Sequence, residues 1–156
     1  CTDYADIAFY KAIYYYNAKQ YDKAKTCYEQ GYSMFDGYGF KDKAFYADGN
    51  RYTTYKLALF KIASDITGYG TSTHINRAMR IIALMQDNTG GVYTHYREDL
   101  NPDSMTNVET TALAILAYTS QPRSGNNTDT SNHNLYYTII GAVLAAGITL
   151  ILLRRR

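Results

Sequence analysis

Apolar residues recur three and four positions apart through most of the first 119 residues, which is the spacing of an amphipathic helix. We predict five helices from this pattern: about 4–18, about 21–35, about 50–67, one that starts after the Ser72–Thr73 cap, and about 107–118. Gly68 stands where a helix C-terminus is expected. No stretch sustains the two-residue alternation of a strand. The pattern therefore predicts an all-α fold of antiparallel helical hairpins.

The pattern of polar and apolar positions changes after residue 119. Residues 120–134 are polar and predict a flexible tether, whereas residues 135–153 are 19 consecutive residues without a charge. A bilayer core about 30 Å thick needs about 20 such residues, so this run predicts a transmembrane helix. Tyr136 and Tyr137 fit an interfacial aromatic belt, and the tail of residues 154–156 (Arg154, Arg155 and Arg156) fits the positive-inside rule.

This orientation predicts that residues 1–119 form an extracytoplasmic domain at the cell membrane, with the C-terminus in the cytoplasm. The lipid bilayer is then one partner, and Asn126 in the sequon Asn126-Asn127-Thr128 becomes a glycosylation site. Export of the N-terminal part implies a removed signal or a longer polypeptide. Small residues between Gly141 and Gly147 would let a helix of another subunit approach the anchor closely.

Charge and composition narrow the function. The formal net charge is +2, but three of the positive charges are the terminal arginines, so residues 1–153 carry −1. Such a domain has no basic surface for nucleic acid. Cys1 and Cys27 can form one disulfide outside the cell. No metal-ligand spacing, phosphate loop or dinucleotide fingerprint is present, so neither a metal nor a cofactor is expected.

Two loops and one helix carry a resemblance to a known superfamily. The loops are residues 36–42, Asp-Gly-Tyr-Gly-Phe-Lys-Asp, and 86–96, Gln-Asp-Asn-Thr-Gly-Gly-Val-Tyr-Thr-His-Tyr; the helix opens at 107–114, Asn-Val-Glu-Thr-Thr-Ala-Leu-Ala. This combination, over about residues 30–118, resembles the α/α-toroid superfamily of terpene cyclases, prenyltransferase β subunits and carbohydrate-active α/α-barrels. The resemblance implies loops gathered at one end of a partial toroid, completed by another chain or by a further N-terminal region.

A second interpretation rests on residues 14–24, which look like the middle of a tetratricopeptide hairpin. Such units stack at a 34-residue period, and the chain has no second copy. A helical-repeat adaptor is therefore an alternative that the sequence supports less well, since one unit cannot bury its own face.

The candidate catalytic residues are Asp36, His95 and Glu109, because sugar hydrolysis or elimination needs two carboxylates, or a carboxylate and a base, across a cleft. The candidate ligand-binding residues are Tyr38, Asp87, Tyr93 and Tyr96, and Asp99 is a further acidic candidate. Each acidic candidate also has a structural interpretation. Thr106 and Glu109 predict a capping box, while Asp36 and Asp87 sit in ordinary turn sequences.

Three functions follow from these patterns. The first is a surface-displayed, single-pass domain that binds or scaffolds, as an accessory subunit of a membrane or envelope assembly with protein partners. The second is the C-terminal part of a membrane-anchored toroid enzyme that acts on surface polysaccharide as a hydrolase or lyase. The third is the helical-repeat adaptor. A surface glycan is a candidate ligand for the first two.

Overall fold

Helices dominate the described part of the chain: the computed structural model describes residues 1–122, and 57% of them are helical. The elements, in chain order, are α1 (Ala5–Asn17), α2 (Tyr21–Ser33), α3 (Lys43–Ala47), β1 (Tyr52–Thr53), α4 (Thr54–Thr67), α5 (Ser72–Leu84), β2 (His95–Tyr96) and α6 (Val108–Thr119). The predicted helical class is confirmed. All five predicted helices are present, and α3 was missed.

Helix α4 lies at the centre of the described core. Eleven of its residues are buried, and it packs against α1, α5 and α6, while α2 packs mainly against α1. Aromatic residues form clusters in this core. Phe9 of α1 lies with its ring centroid 5.3 Å from Phe40 and 5.6 Å from Phe60. Gly31 of α2 allows this packing, since a Cβ there would stand 3.0 Å from the Phe9 ring.

Helix α4 begins at Thr54, later than the sequence pattern predicted. Residues 50–53 were predicted as its first turn, but Gly49 and Asn50 have φ values of 64° and 61°. This left-handed pair ends α3 and redirects the chain, so that β1 pairs antiparallel with β2. The two registered pairs are Tyr52 with Tyr96 and Thr53 with His95. A five-residue helix and two-residue strands are too short to give a periodic signal.

The helix ends correct two of the predicted caps. At the start of α5, the Thr71 side chain accepts a hydrogen bond from the His74 amide, so the cap is Thr71 rather than Ser72–Thr73. At the start of α6, Asn107 accepts from the Thr110 amide, and the predicted capping box of Thr106 with Glu109 is wrong. The predicted C-terminal glycine is correct: Gly68 has a φ of 73°.

A disulfide joins Cys1 to Cys27, with the two Cα atoms 5.1 Å apart. The bond links the segment before α1 to a buried position on α2. The pairing considered from the sequence is therefore present in the structure.

Several predictions concern residues beyond 122. The tether, the sequon at Asn126, the apolar run 135–153 with Tyr136 and Tyr137, and the three terminal arginines all lie outside the described residues. Within residues 1–122, no helix has the length and apolar character needed to span a bilayer.

Candidate functional site

Asp36 is held by four hydrogen-bond donors. Its Oδ1 accepts from the amides of Tyr38 and Gly39, and its Oδ2 accepts from the Tyr52 hydroxyl at 2.6 Å and lies 2.9 Å from Lys41 Nζ. Burial opposes ionisation of Asp36, but the bonds from Tyr52, Gly39, Lys41 and Tyr38 outweigh it and keep its pKa below the ordinary value. The carboxylate therefore fastens the 36–40 loop to β1.

Tyr96 attaches the same loop to β2. Its side chain is fully buried, its ring stacks on Tyr52 at 5.4 Å, and its hydroxyl donates to the Tyr38 carbonyl at 2.6 Å. Burial raises the pKa of the Tyr96 phenol. The Tyr38 ring is partly exposed and lies 5.6 Å from the Arg77 guanidinium. The structure thus joins three predicted site residues, Asp36, Tyr38 and Tyr96, in one structural network.

The other loop candidates are in local turns. Asp87 accepts from the amides of Thr89 and Gly91 and from the Thr89 hydroxyl, and the Thr89 side-chain bond is the main reason that its pKa is lowered. Asp99 is held in the same manner by Asn101. Tyr93 is half-buried and forms an isolated bridge with Thr106.

The three candidate catalytic residues occupy different surroundings. Successive side chains of a strand point to opposite faces. His95 therefore lies on the face of the strand pair opposite Tyr52 and Tyr96, away from the partners of Asp36. Glu109 is an exposed residue on α6. Within residues 1–122, no hydrogen bond or ion pair joins Asp36, His95 and Glu109.

His95 contacts Asp48, which lines a polar cleft that the sequence analysis did not single out. The cleft is open to solvent, has a volume of about 340 Å³, and is lined by Ala47, Asp48, Gly49, Arg51, Arg97 and Asp103. His95 Nε2 lies 3.4 Å from Oδ2 of Asp48. Burial, aided by the charge of Arg51, lowers the pKa of His95, so its imidazole is neutral at neutral pH.

Two ion pairs line this cleft: Arg51 with Asp48, and Arg97 with Asp103. Each pair is local in sequence, and a hydrogen bond from Arg51 to Asp103 joins the two segments. Arg51 binds the carboxylate and the carbonyl of Asp48 and donates to the Asp103 carbonyl at 3.3 Å. Nη2 of Arg97 lies 2.7 Å from Oδ2 of Asp103 but outside hydrogen-bonding geometry, so this contact is an ion pair without a directed hydrogen bond. The bond from Arg51 is the main reason that the pKa of Asp48 is lowered.

A second feature is an exposed apolar surface on α1 and α6, which we call the α1–α6 face. Its residues are Ile7, Tyr10 and Tyr14 on α1 and Val108 and Ile115 on α6. Their spacings of three, four and seven place each set along one side of its helix. Val108 is 83% and Tyr14 66% exposed, so most of each side chain is accessible to a partner.

Two carboxylates near the α1–α6 face, those of Asp6 and Glu109, form no ion pair within residues 1–122. The Tyr55 hydroxyl donates to Oδ2 of Asp6 at 2.6 Å, while Oδ1 of Asp6 is buried without a hydrogen-bond partner. Burial, with the nearby charges of Glu109 and Asp6, raises the pKa of Tyr10 to about 12. Throughout residues 1–122, neither Asp6 nor Glu109 has a cationic partner in an ion pair.

Comparisons with known proteins do not add to this description: no protein-family model, no curated protein and no solved structure matches the chain. Among residues 1–122 there is no group of three or more His, Cys, Asp or Glu side chains placed to hold a metal ion.

Proposed function

We propose that this protein is a membrane-anchored, extracytoplasmic binding domain that serves as an accessory subunit of a membrane or envelope assembly. Support for the anchor comes from the 19 uncharged residues 135–153 followed by three arginines. Support for the extracytoplasmic side comes from the Cys1–Cys27 disulfide, because disulfides persist in oxidising compartments and are rare in the cytosol.

The observation that carries the binding function is the α1–α6 face. It presents five large apolar side chains to solvent on α1 and α6, two helices that both pack against α4, and Tyr10 of α1 lies close enough to Glu109 of α6 for that charge to act on it. Exposed apolar side chains gathered on neighbouring elements are a mark of an interaction site. The carboxylates of Asp6 and Glu109, which have no cationic partner within residues 1–122, add negative charge near Tyr10.

This combination favours one kind of partner, an amphipathic helix of another protein that carries a lysine or arginine beside its apolar side. The apolar residues would pack against Ile7, Tyr14 and Ile115, and the cation would neutralise Asp6 and Glu109.

Photo-crosslinking in the producing cells tests this proposal. A photoreactive phenylalanine is placed at Tyr14 or Ile115, and at Arg80, an exposed position of α5, as the control. We expect one discrete protein adduct from Tyr14 and Ile115 and none from Arg80. The double variant Asp6→Asn, Glu109→Gln should weaken adduct formation, because it removes the charge that complements the partner's cation.

The adduct is then analysed by peptide sequencing at the crosslinked residue. A basic amphipathic helix in the partner supports the proposal. Equal adducts from Arg80, a crosslink only to lipid or to a second copy of this chain, or no effect of the double charge variant would contradict it.

One observation favours the enzymatic alternative, in which the chain belongs to a toroid enzyme that acts on surface polysaccharide. His95 is a neutral imidazole whose Nε2 lies 3.4 Å from Asp48, a residue that lines an open cleft, and a neutral imidazole can accept a proton. Under this alternative, His95→Gln and Glu109→Gln in the full-length protein lower polysaccharide turnover. Unchanged turnover in either variant removes that residue from the mechanism.

A further inference from the structure

We infer that the polar cleft of Asp48, Arg51, Arg97 and Asp103 is a binding site for a neutral carbohydrate, recognised through neighbouring hydroxyl groups of the sugar. The inference is independent of the α1–α6 face, because no residue that lines the cleft belongs to that face. It concerns binding and requires no chemical step.

The charge of the cleft selects for a neutral ligand. Two arginines and two aspartates give its wall a formal charge of zero, and His95 beside them is neutral at neutral pH. An anionic ligand would approach the carboxylates of Asp48 and Asp103, and a cationic ligand would approach both guanidinium groups. Like charges brought that close are destabilising, so either kind of ion is disfavoured.

The exposed hydrogen-bonding groups match a sugar. The Arg97 side chain is 55% exposed and contacts Asp103 through Nη2, so the guanidinium has further N–H donors to offer a ligand. The side chains of Asp48 and Asp103 are 39% and 33% exposed; because Oδ2 of Asp103 is buried, Oδ1 is the acceptor that Asp103 can offer. A hydroxyl both donates and accepts, so two neighbouring hydroxyls can bind one guanidinium and one carboxylate together.

The residue that precedes the cleft wall in sequence is aromatic. Tyr46 comes directly before Ala47 and Asp48 of the wall, and its side chain is 65% exposed. Its ring makes an edge contact with the buried Phe45. An exposed tyrosine ring provides an apolar face and a polar tip for the mixed surface of a pyranose.

Ligand-detected NMR and calorimetric titration test the inference. The full chain is placed in nanodiscs, because sugar-headed detergents would compete for the site. The probes are neutral hexose oligosaccharides, uronic acid oligosaccharides of matched length, and a polyamine. The variants are Arg97→Gln and Tyr46→Ala, with Arg80→Gln as a matched control at an exposed position of α5.

We expect the neutral oligosaccharides to bind and the charged probes to bind more weakly or not at all. Arg97→Gln should lower the affinity for the neutral ligand by roughly tenfold, since a hydrogen bond to a charged group is lost. Tyr46→Ala should also weaken it, while Arg80→Gln should leave it unchanged. Absence of neutral binding, tighter binding of an acidic or cationic probe, or equal affinity of wild type and Arg97→Gln would overturn the inference.

Discussion

Lys56 and Asp42 form an ion pair inside the protein, with Nζ of Lys56 2.6 Å from Oδ2 of Asp42 and both side chains at most 3% exposed. The same carboxylate also accepts from the Ala5 amide at the start of α1 and from the Phe45 amide near the start of α3. One buried side chain therefore connects α4 to the first turns of α1 and α3.

Removing the charge of Asp42 should destabilise the domain strongly. Asp42→Asn keeps the size of the side chain but leaves Lys56 as a buried charge without a counterion, which costs about 3–5 kcal/mol of unfolding free energy. Adding Lys56→Met should recover most of this loss, because the uncompensated charge disappears. Denaturant unfolding of the full chain in mild detergent measures both effects. As a control, Glu29→Gln breaks only the exposed pair with Lys25 and should leave stability unchanged. A single Asp42→Asn variant as stable as wild type would contradict this role.

Reduction of the Cys1–Cys27 disulfide should lower stability by about 3.5 kcal/mol in the chain-entropy view, for a loop of this length. The expected measurement is a lower unfolding midpoint with a thiol reductant in wild type and no effect of reductant in the Cys1→Ser, Cys27→Ser variant. A midpoint insensitive to reductant in wild type would show that the bond contributes little.

Loss of the Tyr52 hydroxyl should loosen the 36–40 loop. Tyr52→Phe keeps the stacking on Tyr96 but removes the donor to Asp36, and a hydrogen bond to a charged group contributes about 1.5–3 kcal/mol. NMR titration should show the pKa of Asp36 rising towards its ordinary value of 3.8. Tyr46→Phe, at an exposed ring, is the matched control and should change neither quantity. An unmoved Asp36 titration in Tyr52→Phe would show that the hydroxyl does not hold the carboxylate.

His95 should make stability depend on pH below the ordinary histidine pKa of 6.5. Burial lowers its pKa in the folded protein, so the unfolded chain binds more protons as the pH falls below that value. The contribution of His95 to stability is complete above pH 6.5 and is lost as the pH falls through the folded pKa. The unfolding free energy of His95→Gln should therefore decline less on acidification than that of wild type. Identical pH profiles for wild type and His95→Gln would contradict this assignment.

Local sequence signals predicted the long helices because their causes are local. Gly68 ends α4 with a left-handed residue, and the apolar spacing of α5 places Ala78 and Ile82 in the core. The helix α3 also has a local cap, because Asp42 accepts from the Phe45 amide. Its five residues are too few to show a periodic pattern, so α3 was not predicted.

The polar cleft was not predicted because its lining residues come from two segments that are distant in sequence. Asp48 and Arg51 stand near the start of what the pattern suggested was a helix, while Arg97 and Asp103 occupy a distant loop. The sequence Asp48-Gly49-Asn50 was the available signal, since such residues favour turns and two of them adopt positive φ here. The pairing of β1 with β2 brings the two segments together, and that pairing joins residues more than forty positions apart. The acidic turn residues were predicted with their structural interpretation, and the contacts of Asp36 and Asp87 agree with it.

The central claim is that a membrane anchor displays this domain outside the cell, and protease shaving of intact cells tests it most directly. The chain carries a C-terminal tag, and membranes are washed with alkaline carbonate before the tag is detected. The account predicts that the tag stays with the carbonate-washed membrane, and that shaving intact cells reduces the tagged species to a short fragment containing residues 135–156. Release of the tagged protein by carbonate, or survival of the full-length chain until the cells are opened, would contradict the account.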